Sequence, residues 1–115
     1  MKLNHINLTV TDVVAAANFL QTYFGLRNEY EDEDNSKFIV LFDDGGLVLS
    51  LMKTGREVKY PNTFHIGFIQ ASEADVDALY QRLIADGFDV PAPQRSHAWT
   101  FYVQAPGGFT VEVLA

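Results

Sequence analysis

The sequence predicts an α+β fold in which one strand–helix–strands module is written twice. Three observations predict it. The string GGLVLSLMK at residues 45–53 returns as GGFTVEVLA at residues 107–115. The alternating stretches HINLTV and HIGFIQ open with His5 and His65, 60 positions apart. Gly25 and Gly87, and likewise Gly46 and Gly108, stand 62 positions apart, so the halves stay in step apart from two extra residues in the second. The first module is expected over residues 1–54, a linker over 55–63 and the second module over 64–115.

The elements follow from local pattern. HINLTV reads as a strand with Ile6, Leu8 and Val10 on one face and His5, Asn7 and Thr9 on the other. Thr11 or Asp12 caps a helix whose apolar stripe is Val13, Ala16, Ala17, Leu20 and Phe24, and Gly25 ends it. The acidic run EYEDEDNS at 29–36 reads as a solvated hairpin or loop, because its carboxylates repel one another. Strands KFIVLF and LVLSLM flank the turn DDGG. KTGREVKYPN, with Gly55 and Pro61, reads as the linker. In the second copy HIGFIQ is the strand, and Ser72 with Asp75 forms a capping box. Val76, Leu79, Tyr80 and Leu83 form the helix stripe, and Gly87 closes the helix. TFYVQ, the turn PGG and FTVEVL complete the copy.

Composition narrows the function classes. A chain of 115 residues is one domain's worth, and 48% hydrophobic with 20% charged residues is globular composition. No apolar run reaches the roughly 18 residues of a membrane span. MKLNHINLTV lacks the apolar core of a signal peptide, so a cytoplasmic protein is expected. Without cysteine there is no disulfide or thiolate chemistry. A net charge of −7 without clustered Lys and Arg argues against nucleic acid and anionic membranes as partners.

Strand parity sorts the ionisable residues. With Ile6/Leu8/Val10, Leu47/Leu49/Leu51, Phe64/Ile66/Phe68, Phe101/Val103 and Phe109/Val111/Val113 under the helices, the opposite faces collect His5, Asn7, Thr9, Ser50, His65, Thr100, Tyr102, Thr110 and Glu112. Two imidazoles and a carboxylate from three strands are a ligand set suited to Fe(II), Mn(II), Zn(II) or Ni(II). A lone strand histidine is more often a surface or hydrogen-bonded residue, so the pairing of His5 with His65 carries the inference. An unpaired enclosed carboxylate at Glu112 costs several kcal/mol unless a cation, a proton or a positive side chain meets it.

On NHINLTVTDVVAAANFLQTYFGL, FHIGF, IADGF and APGGFTVEV, in that order, the chain resembles the vicinal oxygen chelate superfamily. That group includes glyoxalase I, extradiol dioxygenases, fosfomycin-resistance enzymes and bleomycin-binding proteins. The resemblance runs end to end and implies paired β-α-β-β-β modules whose mixed sheet forms a cup around a divalent metal. It maps the metal ligands onto His5, His65 and Glu112. It implies a homodimer with sites at the subunit interface, His5 from one subunit meeting His65 and Glu112 of the other. Glyoxalase I uses a fourth ligand where this chain has Ser50, and a serine hydroxyl is no general base near pH 7, so that activity is disfavoured. A fosfomycin enzyme's substrate-contacting lysine aligns with Ala92. A lyase, isomerase, thiol transferase or extradiol-type dioxygenase acting on a small vicinal-oxygen substrate is the expected function. The alternative is a metal-free binder that sequesters a drug or metabolite, as in bleomycin resistance.

Auxiliary roles are assigned within that frame. Tyr102, Ser50 and His97 are candidates for catalytic donors or acids, and Arg95 for an anion clamp, against the plain reading of His97 and Arg95 as solvated. Asn7, Thr9, Phe38, Val40, Phe42, Met52 and Thr100 are candidate substrate contacts, the aromatic and apolar members favouring a substrate with a ring or apolar portion. Trp99 shares parity with Phe101 and reads as core.

Overall fold

The structure is a computed structural model and describes residues 1–30 and 36–115. Its elements run β1 (His5–Val10), α1 (Val13–Phe24), β2 (Phe38–Phe42), β3 (Val48–Lys53), β4 (Ile66–Ile69), α2 (Glu73–Ala85), β5 (Gln94–Arg95), β6 (Trp99–Ala105) and β7 (Phe109–Leu114). The acidic run 29–36 falls largely on residues 31–35, outside the described residues. The chain forms two compact units, residues 1–60 with 106–108 and residues 61–105 with 109–115.

In the first unit the sheet order is β1-β3-β2, with β1 parallel to β3 and β2 antiparallel to it. A parallel pair needs a long crossover, and α1 begins that crossover. Asp12 caps the helix through a 3.0 Å bond from the Ala15 N–H, and Gly25 ends it at φ 67°. The helix buries Val13, Ala16, Ala17, Phe19 and Leu20, while Leu8, Val10, Ile39, Leu41, Leu49 and Leu51 are the buried apolar strand residues of the unit. Phe19 takes the place expected of Phe24, which is half-buried with its ring 5.6 Å from that of Phe19. Between β2 and β3, Asp43 Oδ1 accepts from Gly45 N and Leu47 N and so ties the DDGG turn.

The second unit repeats the design. Its order is β4-β7-β6-β5, with β4 parallel to β7 and the other pairs antiparallel. Ser72 caps α2 by accepting from Asp75 N. The helix buries Val76, Leu79 and Leu83, and the unit's sheet buries Phe101, Val103, Phe109, Val111 and Val113. The third post-helix strand implied by the resemblance is the two-residue β5 here and a single Arg27–Phe42 bridge in the first unit. Trp99 is half-buried, its indole N–H donating to Asp77 of α2.

The turn after β6 groups with the first unit. Gly107 O accepts from Thr11 N at 3.0 Å. A Cβ on Gly107 would lie 3.1 Å from Val10 Cβ and 3.2 Å from Ala16 Cβ, and its φ of +101° is left-handed, so only glycine fits. Among the described residues no helix is long and apolar enough to cross a membrane.

Candidate functional site

Equivalent rows of the two sheets carry different chemistry. In the first unit Asn7, Ser50 and Val40 lie side by side across β1, β3 and β2. In the second the same row reads Gly67, Glu112 and Tyr102 across β4, β7 and β6. Ser50 is buried and donates to Asn7 Oδ1 at 2.7 Å, so that row meets its own hydrogen-bonding needs with two neutral side chains. Glu112 is only 5% exposed and must find donors or a cation.

Its donors come from β6 and the loop before it. Thr100 Oγ1 lies 2.7 Å from Glu112 Oε2 and 2.9 Å from Val113 O. His97 Nε2 lies 2.7 Å from the same Oε2, and the Tyr102 hydroxyl also hydrogen-bonds the carboxylate. Burial raises the Glu112 pKa, but the bonds from Thr100, Tyr102 and His97, with the charge His97 carries when protonated, outweigh it and hold the carboxyl below its ordinary value. Tyr102 is shifted up by burial first, then by its bond to Glu112 and the carboxylate's charge. It therefore stays a donor.

His65 stands just before β4 and faces the other oxygen. Its Nδ1 lies 2.9 Å from Thr63 O, so Nδ1 carries the proton and Nε2 presents a lone pair. That nitrogen is 3.4 Å from Glu112 Oε1. The Tyr102 ring stands edge-on to the imidazole at 5.5 Å between centroids. Two acceptors facing each other at this separation call for something positive between them. Ligand atoms each about 2.1 Å from one ion and about 110° apart are about 3.4 Å from each other, so the pair fits a shared divalent metal. A ring N–H held by a backbone carbonyl is also the usual support of a ligating histidine.

His5, in the first unit, has the same ring state: Nδ1 is bonded to Asn4 Oδ1 at 3.1 Å, leaving Nε2 free to ligate. Among the described residues no group of three or more His, Asp or Glu side chains is arranged to hold an ion by itself. What the second unit assembles is the His65–Glu112 pair. Beside it lies a cavity of about 450 Å³ lined by Asn62, Thr63, His65, Tyr102, Gln104 and Thr110. The first unit has a hollow of about 520 Å³ lined by His5, Asn7, Ser50, Phe38, Val40 and Met52 among others.

The remaining candidates fall elsewhere. Thr9 offers its backbone N and O to the Tyr60 hydroxyl, at 2.9 and 2.8 Å. Phe42 bridges to Arg27, and its ring lies tilted 6.2 Å from that of Tyr30. Arg95 pairs with Glu73 and lies over the Trp99 ring. Residues that pattern reading passed over are Thr63, which sets the His65 tautomer, and Ser96, which bonds the His97 ring. Both act from loops, through single hydrogen bonds that leave no periodic trace.

A family model for the Glyoxalase/Bleomycin resistance protein/Dioxygenase superfamily matches residues 2–113. The structure of a possible glyoxalase from Bacillus cereus is 53% identical, over 100% of this chain and 99% of that one, with a TM-score of 0.93. A mutant of the fosfomycin resistance protein FosX from Listeria monocytogenes, complexed with Mn(II) and a dihydroxypropylphosphonic acid, is 25% identical over 99% and 91% of the two chains, with a TM-score of 0.81. Lactoylglutathione lyase from Agrobacterium tumefaciens shares the fold at 22% identity, over 98% and 92% of the chains, with a TM-score of 0.75. No curated protein matches the chain.

Proposed function

Because the chain belongs to the glyoxalase/bleomycin resistance protein/dioxygenase superfamily, we propose that it is a metal-dependent enzyme acting on a small molecule with two neighbouring oxygens. The observation that carries this reading is the bare Nε2 of His65 facing Glu112 Oε1 at 3.4 Å. An imidazole nitrogen and a carboxylate oxygen suit Fe(II), Mn(II), Zn(II) or Ni(II), and the Mn(II) in the related FosX complex supports a divalent ion. When bound, the ion supplies Lewis acidity to the substrate oxygens.

The chain's own residues do the rest of the work in this reading. Thr63 O keeps the His65 proton on Nδ1, and Thr100 and His97 hold Glu112 Oε2. Tyr102, protonated well past neutrality, offers a hydrogen bond at the cavity wall. That wall carries amide and hydroxyl groups from Asn62, Gln104 and Thr110 and no Lys or Arg, which favours an uncharged oxygenated substrate. Phe38, Val40 and Met52 favour a ring or apolar portion. Ser50, with its proton engaged by Asn7, is a hydrogen-bonding group and not a base, which argues against glyoxalase I. His5 is assigned the third ligand position, supplied by a second copy of the chain, so dilution that dissociates a homodimer releases the ion.

A second reading, a metal-free small-molecule binder, is favoured by the first unit's hollow, where Phe38 and Met52 are 44% and 46% exposed. Elemental analysis of tag-free protein separates the two. About one transition metal per chain, lost in folded His5→Ala, His65→Ala and Glu112→Ala variants, supports the enzyme. A parent that stays metal-free after reconstitution sinks it and leaves the binder.

A further inference from the structure

We infer that the Ser96–His97 pair is a positioning device for Glu112, holding Oε2 so that Oε1 is turned to Nε2 of His65. The inference rests on the reading of His65 and Glu112 as metal ligands. His97 is not itself a ligand in it. The two histidines flank one carboxylate in opposite protonation patterns, and hydrogen-bond accounting fixes both.

Ser96 Oγ accepts from the His97 backbone N at 2.6 Å and lies 2.9 Å from His97 Nδ1. The hydroxyl's one proton goes to Nδ1, which makes Nδ1 an acceptor and leaves the ring proton on Nε2. That N–H points at Glu112 Oε2, 2.7 Å away. On the other side, His65 has its proton on Nδ1, against Thr63 O, and offers a lone pair. One histidine therefore pins the carboxylate at Oε2 and the other faces Oε1.

Thr100 also reaches Oε2, but its single proton is divided between Oε2 and Val113 O. The His97 ring N–H has no second acceptor in this arrangement, so together with the Tyr102 hydroxyl it fixes how the carboxylate is turned. The His97 side chain is 53% exposed. Truncating it removes a donor without opening the core, which separates a positioning role from a packing one. Outer hydrogen bonds of this kind typically alter metal affinity by about 10–100-fold.

The test is calorimetric titration of chelator-treated protein with Mn(II), comparing the parent with His97→Ala, His97→Gln, Ser96→Ala and His65→Ala. Co(II) absorption spectra report the ligand set, and thermal melts in chelator report folding. His97→Ala is expected to weaken Mn(II) binding about 10-fold or more at unchanged stoichiometry, with the Co(II) ligand set intact. His97→Gln, whose amide N–H can replace the Nε2 donor, restores most of that loss, and Ser96→Ala gives a smaller loss than His97→Ala. Unchanged affinity in folded His97→Ala overturns the inference. So does a Co(II) spectrum showing one nitrogen ligand fewer, since His97 would then be a ligand. A parent that binds no metal refutes the proposed function, and the inference falls with it.

Discussion

Nε2 of His65, left without the ring proton that Nδ1 gives to Thr63 O, stands 3.4 Å from Oε1 of Glu112. The carboxylate's other oxygen is already served by Thr100 and His97. One oxygen of a buried carboxylate is thus held by two protein donors, and the other faces the His65 nitrogen across a gap that suits a cation or a proton.

Glu112 makes stability depend on acid. Its folded pKa lies below the unfolded value of about 4.3. The ionised form is therefore favoured by folding, and its contribution is complete above that value. It is lost as pH falls through the lower folded pKa. Urea unfolding in chelator should show the stability gap between parent and Glu112→Gln fully present at about pH 5. The gap should narrow below about pH 4. A gap independent of pH would contradict the hydrogen-bonded carboxylate.

Tyr102 should titrate late. Burial, then the bond to Glu112 and its charge, keep the phenol neutral beyond the ordinary pKa of about 10. Its contribution to stability is present below that value and fades as pH rises through the folded pKa. Absorbance titration of the phenolates should show a late component that Tyr102→Phe removes and Glu112→Gln shifts towards lower pH. Early, uniform titration of all tyrosines would count against the contact.

Two glycines should respond differently to a methyl group. At Gly67 a Cβ would meet Leu114 Cδ2 at 3.7 Å and Glu112 Oε1 at 3.9 Å, ordinary contacts without a positive φ. Gly67→Ala should leave the melting temperature within a few degrees of the parent. At Gly107 the same atom meets Val10 and Ala16 at a left-handed φ, so Gly107→Ala should destabilise by about 1–3 kcal/mol. Equal melting temperatures for the two variants would refute the packing described.

The Tyr60 hydroxyl donates to Thr9 O and accepts from Thr9 N. It serves the side of β1 that faces away from β3. Tyr60→Phe removes both bonds at once and should cost about 1–3 kcal/mol in denaturant unfolding. Amide exchange at Thr9 should quicken. Unchanged protection there would show that another group serves that edge.

The duplicated order, the helix caps and the core faces were legible in the chain, because strands alternate with period two and helices bury every third or fourth residue. Leu8, Val10, Leu49, Leu51, Val111 and Val113 are buried where alternation put them. The departure at Ser50 and Glu112 was equally visible, since it interrupts an otherwise matching string. What depends on the backbone's path between elements left no such trace. The two-residue β5, the β6–β7 turn grouping with the first unit and the Thr63 and Ser96 bonds each rest on a few loop atoms.

The same division holds for the site. By itself the sequence determined that Glu112 lies in a strand on the face away from the helix, with His5 and His65 at matching positions of the two copies. Only the tertiary structure decided that His97 Nε2, Thr100 Oγ1 and the Tyr102 hydroxyl converge on that carboxylate, and that His65 turns a bare nitrogen to it. Periodicity assigns a residue to a face. Which atoms of that face meet, and which nitrogen carries the proton, is set by register and by single hydrogen bonds from loops.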